Sequence, residues 1–345
     1  IIATPIGGMA IGEVCYRASD AVLDDRTTGG ERVRREVAAF LISPMRGLTR
    51  IINGDAWRKR STTGRQFGTP SVAMEFSAGI RGLEFENEVY DSSLGFSMQF
   101  NLEYGDRFEV KSSRPYDYFR VRADINIVNS QPLLGQLDIT GRLIARELLE
   151  KERSHMSIGL YQHFDYYDSD TISEVSAKCP YKLGIPASLG CGIMFRDIER
   201  NRWVLDAYLH SNAVILGSVL SDYYQVDERN YNLASGFSIK GGANMVFNRD
   251  KFSASLSHAY YRLFTWKGYH KYSDLDDISY KVLDAQGDHS AASFIVTEAR
   301  CDLKLWRKFY LTLSFTHYMR STHYRDFGHI KSSSMAARLM LTYKL

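Results

Sequence analysis

Along the last fourteen residues of the chain, apolar and polar positions alternate almost without a break. Met335, Ala337, Leu339, Leu341, Tyr343 and Leu345 share one face, while Ser334, Ala336, Arg338, Met340, Thr342 and Lys344 share the other. A strand turns successive side chains to opposite faces, so one face here is oily and the other polar and charged. Similar segments recur from about residue 70 onward and predict twelve strands, at 71–83, 93–104, 117–128, 135–147, 156–166, 186–197, 202–213, 232–247, 251–264, 291–305, 309–321 and 333–345. The second sets Leu94, Phe96, Met98, Phe100 and Leu102 against Gly95, Ser97, Gln99, Asn101 and Glu103. Asn248-Arg249-Asp250-Lys251 reads as a tight hairpin turn between the eighth and ninth. Oily-out, polar-in strands of about ten residues in series predict an all-β transmembrane barrel of antiparallel strands.

The links between these segments support that reading. Those at 198–201, 248–250 and 306–308 are short, and those at 167–185, 214–231, 265–290 and 322–332 are long. Short and long alternate in this way when periplasmic turns face extracellular loops. The alternation makes the strand number even and puts both termini in the periplasm. The 105–116 link is long for a periplasmic turn, and the 129–134 link is short for an outer loop. A soluble sandwich would also bury faces such as Phe119, Val121, Ile125 and Ile127, but it would leave the opposite face charged across twelve strands. A closed barrel satisfies every backbone group, as lipid demands.

Residues 1–68 have a different period and are set apart from the barrel, 69–345. Ile11, Val14, Cys15, Ala18 and Val22 lie at helical spacing and predict a helix from about Met9 to Leu23. Gly29-Gly30 breaks it, and Glu31 to Ile42 predicts a second helix, with Val33, Val37, Phe40 and Leu41 on one face. Ser43-Pro44 opens a short third helix that stops at Asn53-Gly54, with Met45, Leu48, Ile51 and Ile52 as its apolar positions. The segment holds eleven Lys+Arg and seven Asp+Glu, a balance of +4, leaving 32 and 33 for the rest.

Composition fits the barrel. Tyr and Phe number 22 and 18, Pro only 7, as expected where proline is excluded from ladders and aromatic girdles mark the interfaces. Mean hydropathy is −0.28, and no run approaches the length of a membrane helix. Ile1-Ile2-Ala3-Thr4-Pro5 has neither the basic start nor the apolar stretch of a signal peptide. A barrel must be exported, so the chain reads as a mature or trimmed form. Cys15, Cys179, Cys191 and Cys301 show no metal-type spacing, and Cys191 and Cys301 fall on oily faces.

The inward faces carry Glu75, Arg81, Arg120, Arg122, Asp124, Asp138, Arg142, Asp206, Lys240, Glu298, Arg300, Asp302, Lys304, Arg320 and Arg338. Mixed signs at this density predict a cross-braced lumen rather than a single-sign ion filter. Twelve strands enclose more space than eight, which side chains alone can fill. The N-terminal helices are therefore expected as a plug in the lumen or a cap at its periplasmic mouth. Glu13, Tyr16, Arg17 and Asp20 form a polar edge suited to lumen charges such as Arg120, Arg122, Glu298 and Arg300.

Tyr161, His163 and Asp165 form the sharpest chemical constellation, sharing the inward face of the fifth strand near its outer end. Histidine beside a carboxylate can act as general base for ester hydrolysis, which suits a lipid-acting outer-membrane hydrolase such as a lipid A deacylase or phospholipase. No nucleophile accompanies the set, and a structural His–Asp contact is the competing reading. Asp165, Asp168 and Asp170 with Asp274, Asp276 and Asp277 are loop acids without the spacing of a calcium loop. His258 and His317 fall on the lipid face beside tyrosines. No cofactor motif and no zinc pattern is present. Arg58-Lys59-Arg60 is a short basic cluster better suited to a rim or acidic groups than to nucleic acid.

Pro5-Ile6-Gly7-Gly8-Met9-Ala10-Ile11-Gly12-Glu13 and Tyr16-Arg17, with Ser43-Pro44-Met45-Arg46-Gly47-Leu48, Gly54-Asp55-Ala56-Trp57 and Gln162-His163-Phe164-Asp165-Tyr166-Tyr167, resemble a family of uncharacterised Bacteroidota outer-membrane proteins, known as a domain of unknown function. The resemblance implies a Gram-negative outer membrane and brings no activity or catalytic residues with it. Two function classes remain. One is a plugged barrel acting as a narrow solute pathway or as a structural or assembly partner, in contact with outer-membrane lipid, lipopolysaccharide and other outer-membrane proteins. The other is a hydrolase using His163.

Overall fold

The computed structural model describes residues 3–85, 88–110, 114–128, 131–169, 179–199, 202–224, 230–248, 250–271, 274 and 287–345. Twelve long antiparallel strands close into a barrel: β1 (Val72–Phe85), β2 (Glu88–Tyr104), β3 (Phe119–Ile127), β4 (Leu134–Glu150), β5 (Ser154–Asp168), β6 (Lys182–Glu199), β7 (Trp203–Leu220), β8 (Tyr231–Phe247), β9 (Phe252–Thr265), β12 (Ser290–Trp306), β13 (Phe309–Tyr324) and β14 (Ile330–Lys344). Each pairs with its neighbour in sequence, and β14 closes on β1 with Glu75 opposite Lys344. A parallel pair of two-residue strands, β10 (Gly268–Tyr269) and β11 (Gly287–Asp288), lies within the β9–β12 connection.

All twelve predicted strands are present, and several run further than the oily–polar pattern reached. β6 begins at Lys182 and β7 continues to Leu220. In these extensions apolar residues such as Leu183, Ile185 and Val219 are buried on the inside, so the alternation of oily and polar faces fades. The predicted hairpin at 248–251 forms, with Asn248 at φ 50° and Asp250 at φ 75°. Asn and Asp tolerate that left-handed region, and the tight turn needs it. β1 begins and β14 ends at the same, near end of the barrel.

The wall alternates as the pattern requires. On β13 the outward Leu311, Leu313 and Phe315 are 39%, 43% and 45% exposed, whereas the inward Thr312, Ser314 and Thr316 are 0% exposed. Outward Cys191 and Cys301 are exposed and unbridged. His258 and His317 also point outward, bonded to Thr297 (2.8 Å) and Ser333 (2.8 Å). A closed ladder wrapped in an apolar belt is a transmembrane barrel. Among the described residues no helix is long and apolar enough to cross a membrane.

Three helices precede the barrel: α1 (Ala3–Val22), α2 (Gly29–Ile42) and α3 (Pro44–Ile52). Their placement corrects the plug expectation, because α1 lies against the outside of the wall. Ala10 and Val14 pack on Leu102, Phe119, Val121 and Ile139, all of them outward residues of β2, β3 and β4. Gly7 sits where a Cβ would come within 3.0 Å of the Pro186 Cβ of β6. The physical reason is solvation. An apolar stripe pressed into a charged lumen would strip water from those charges without replacing their partners, whereas an oily wall receives it at no such cost. Small residues on the contact face allow the close packing that holds helices to apolar surfaces in lipid.

Candidate functional site: the lumen pocket and the strand that serves both faces

The lumen is filled by the barrel's own side chains, in layers. Nearest the termini, Lys344 Nζ donates to Asp302 (2.8 Å), Arg300 Nε donates to Asp302 (2.9 Å), and Arg300 pairs with Glu75 at 3.2 Å. Deeper in, Arg122 bridges Glu298 and Asp124, and Arg338 reaches Asp124 at 3.3 Å. At mid-depth Lys240 Nζ donates to both oxygens of Asp165, at 2.5 and 2.6 Å. Beyond that, toward the far end, comes an aromatic layer. Tyr181 stacks on Tyr318 with centroids 4.5 Å apart and meets Phe294 at 5.3 Å, and Phe294 meets Tyr167 at 5.3 Å and Tyr261 at 6.1 Å. Arg320, paired with Asp222, donates to the Pro180 carbonyl and ties the start of β6 across this layer.

Between the charged and aromatic layers lies a pocket of about 70 Å³, which Arg120, His163, Asp165, Tyr208, His210 and Lys240 help to line. A vestibule of about 390 Å³ at the near end adjoins it and shares Arg107, Arg120, Arg122, Tyr208, Ser257 and Glu298 with it. His163 Nδ1 lies 3.2 Å from Thr140 Oγ1 and 3.3 Å from Lys240 Nζ. An ammonium only donates, so Nδ1 accepts and the ring proton sits on Nε2. That Nε2 is buried with no hydrogen-bond partner among the described residues, as are Tyr161 Oη and His210 Nδ1. Arg120 stacks on Tyr208 with its Cζ 5.2 Å from the ring centroid. It makes no ion pair among the described residues, while Arg107, Arg122 and Lys240 are each paired with carboxylates.

Tyr161, His163 and Asp165 do share the inward face, yet His163 and Asp165 make no hydrogen bond to each other among the described residues. Asp165 is taken by Lys240, seventy-five residues away in sequence, and Tyr161 and His163 both meet His210 edge-on, at 4.6 and 5.0 Å. The aromatic layer separates all three from the far end, and the wall separates them from lipid. Arg122, Glu298 and Arg300 are paired within the lumen itself. Glu13, Tyr16 and Arg17 do not reach them. Arg17 Nε donates to Glu13 (2.7 Å), Arg17 Nη2 donates to the Pro115 carbonyl (2.8 Å), and the Tyr16 hydroxyl donates to Gln66 (3.0 Å), all outside the wall. Sequence reasoning missed His210, Tyr208 and the aromatic layer; the inward parity of their strands was the available signal. Asp170, Asp276 and Asp277 lie outside the described residues.

The Gln162–Tyr167 stretch serves both faces. Inward His163, Asp165 and Tyr167 build the pocket and the layer above it. Outward Gln162 donates to the Ile6 carbonyl (3.0 Å) and accepts from the Tyr116 hydroxyl (2.9 Å), and outward Phe164 packs on α1. The other sequence signatures are scaffolding for the helices. Arg46 pairs with Asp20 (2.5 Å), and Arg32 donates to the carbonyls of Asp55 and Ala56 (both 2.6 Å). A Cβ on Gly47 would fall 2.7 Å from the Phe40 Cα, so only glycine lets α3 cross α2 this closely.

Residues 1–45 match the family described as a domain of unknown function (DUF3943). No curated protein matches the chain. Among solved structures the chain is similar to the NanC porin, at 6% identity and a TM-score of 0.36, covering 79% of this chain and 100% of that one. It is also similar to the Pseudomonas putida toluene transporter TodX (8%, 0.28, 79% and 89%) and to the outer membrane channel DcaP of Acinetobacter baumannii (8%, 0.27, 80% and 96%). At such identities and scores, no solute or activity passes from them to this chain.

Proposed function

We propose that the chain is an outer-membrane barrel with its near end in the periplasm, acting as a narrow, gated pathway for small anionic solutes. One observation carries the reading. A vestibule open at the near end continues into a pocket holding a guanidinium without an ion pair among the described residues, Arg120, and an unpartnered ring N–H, His163 Nε2, and the pocket ends under the aromatic layer. An unpartnered ring N–H beside a guanidinium that no carboxylate neutralises, at that depth, suits a small anion. In this reading the gate is Tyr181, which precedes β6 in the β5–β6 connection, whereas Tyr167, Tyr261, Phe294 and Tyr318 stand on barrel strands.

Hydrolysis of lipid fits less well. An ester would have to enter the lumen to reach His163, and Asp165 is already committed to Lys240. Planar-bilayer recording tests the pathway. Wild type should give small or rare conductance steps, and the combined Tyr181→Ala, Phe294→Ala and Tyr318→Ala variant should give frequent, anion-preferring ones. A variant as silent as wild type would sink the proposal. Lipid mass spectrometry of wild type and His163→Ala should give identical profiles; a product lost in the variant would instead establish the hydrolase.

A further inference from the structure

Residues 29–58 are built inside out. The guanidinium of Arg32 is buried at their centre, giving hydrogen bonds to main-chain carbonyls of Asp25, Asp55, Ala56 and Arg58. Arg50 lies beside it, bonded to Asp25 (2.6 Å) and Glu36 (2.7 Å). Burial works against the Arg50 charge, but the hydrogen bonds it donates to Glu36 and Asp25 overcome it and hold its pKa above the ordinary value. The apolar side chains face outward. Leu41, Met45 and Ile52 are 74%, 74% and 73% exposed, and Trp57 is 72% exposed. A helix pair in water turns its apolar stripe inward, and so large an exposed apolar patch marks a surface with a partner.

We propose that this surface is seated in the near-end leaflet of the same bilayer that the barrel crosses, with the apolar side chains of α2, α3 and the Trp57 turn among the acyl chains. Continuity with the barrel's lipid-facing belt identifies the occupant. α1 runs on the outer wall, and its uncovered residues there, Pro5, Met9 and Ile11 among them, are apolar. α2 packs on α1, and α3 on α2, so the belt passes directly into the exposed face of the pair. Arg34, Arg58 and Lys59 are exposed and make no ion pair among the described residues, and they complement lipid phosphates. Helices with apolar residues on one side, basic residues at the edge and a tryptophan nearby lie in the membrane interface. Nothing in this depends on what crosses the lumen.

Depth-dependent tryptophan quenching of the full chain in phospholipid vesicles tests it. In one variant Trp203→Phe, Trp266→Phe and Trp306→Phe leave Trp57 as the sole tryptophan, with the helices untouched. In a second, Trp57→Phe and Leu41→Trp are added, and heat-modifiable gel migration checks that both are folded. Phosphatidylcholine brominated in its acyl chains should remove more than about half of the emission in each variant, and aqueous iodide should remove little. Quenching by iodide but not by brominated lipid would overturn the proposal. Protection from both would also overturn it, because a protein surface and not lipid would then cover the face.

Discussion

Asp165 is 1% exposed, and Lys240 reaches it from three strands away around the barrel. Removing one member of such a pair strands a charge in the lumen, which costs about 3–5 kcal/mol where burial is complete. Lys240→Met should therefore lower the unfolding free energy obtained from denaturant titration by an amount in that range, and adding Asp165→Leu should restore most of it. A loss in the double variant equal to the sum of the Lys240→Met and Asp165→Leu losses would mean that the pair is not coupled. Arg120 behaves differently at the same scale. It has no carboxylate to abandon, so Arg120→Met should leave stability within about 1 kcal/mol of wild type while removing the anion preference of the opened gate variant. The His163 ring was legible in the sequence as inward, and so was Asp165. Their chemistry was not, because Lys240 and His210 come from strands whose separation in sequence says nothing of their nearness in space.

Among the elements, α1 departs most from the sequence reading. Of its expected stripe, Ile11, Val14, Cys15, Ala18 and Val22, Val14 and Ala18 pack with Ala10 on the wall while Ile11 is exposed, and that wall is oily and not charged lumen. Gly7 and Gly47 show how much each contact depends on the absence of a side chain. Gly7→Leu should lift the first half of α1 from Pro186 and Phe164, and Gly47→Val should wedge α3 from the Phe40 backbone. Overpacking of this kind costs about 1–3 kcal/mol. Limited proteolysis within residues 1–68 should become several-fold faster in both variants, with barrel migration on gels unchanged. Unaltered cleavage rates would show that neither close approach holds the helices.

At the scale of the whole molecule, the barrel closes its edges, its inward charges pair across the lumen, and the helices form a collar on its outer surface. A plug and a collar answer deletion differently. Removing residues 1–60 should leave conductance at the wild-type level, since nothing leaves the lumen. It should also lower the unfolding temperature, because Leu102, Phe119, Val121 and Ile139 lose their packing partner. A rise in conductance on deletion would place the helices back inside.

The sequence by itself determined the strands, their number and which side chains face lipid, because a period of two is a local property that any strand displays in its own residues. It likewise determined three helices ahead of the barrel, and the bounds of the second and third to within two residues, although α1 starts at Ala3 and not at Met9. Only the tertiary structure decided which wall α1 leans on, since an apolar stripe is equally legible whether it meets an oily wall, a lipid or a core. The same holds for the lumen. Inward parity marks Arg122, Glu298 and Lys240 as interior, but which cation meets which carboxylate depends on where the strands close. The aromatic layer exists only because β5, β9, β12, β13 and the segment before β6 converge at one height of the barrel. Contacts of this kind are set by register around a closed sheet, and no local pattern carries that information.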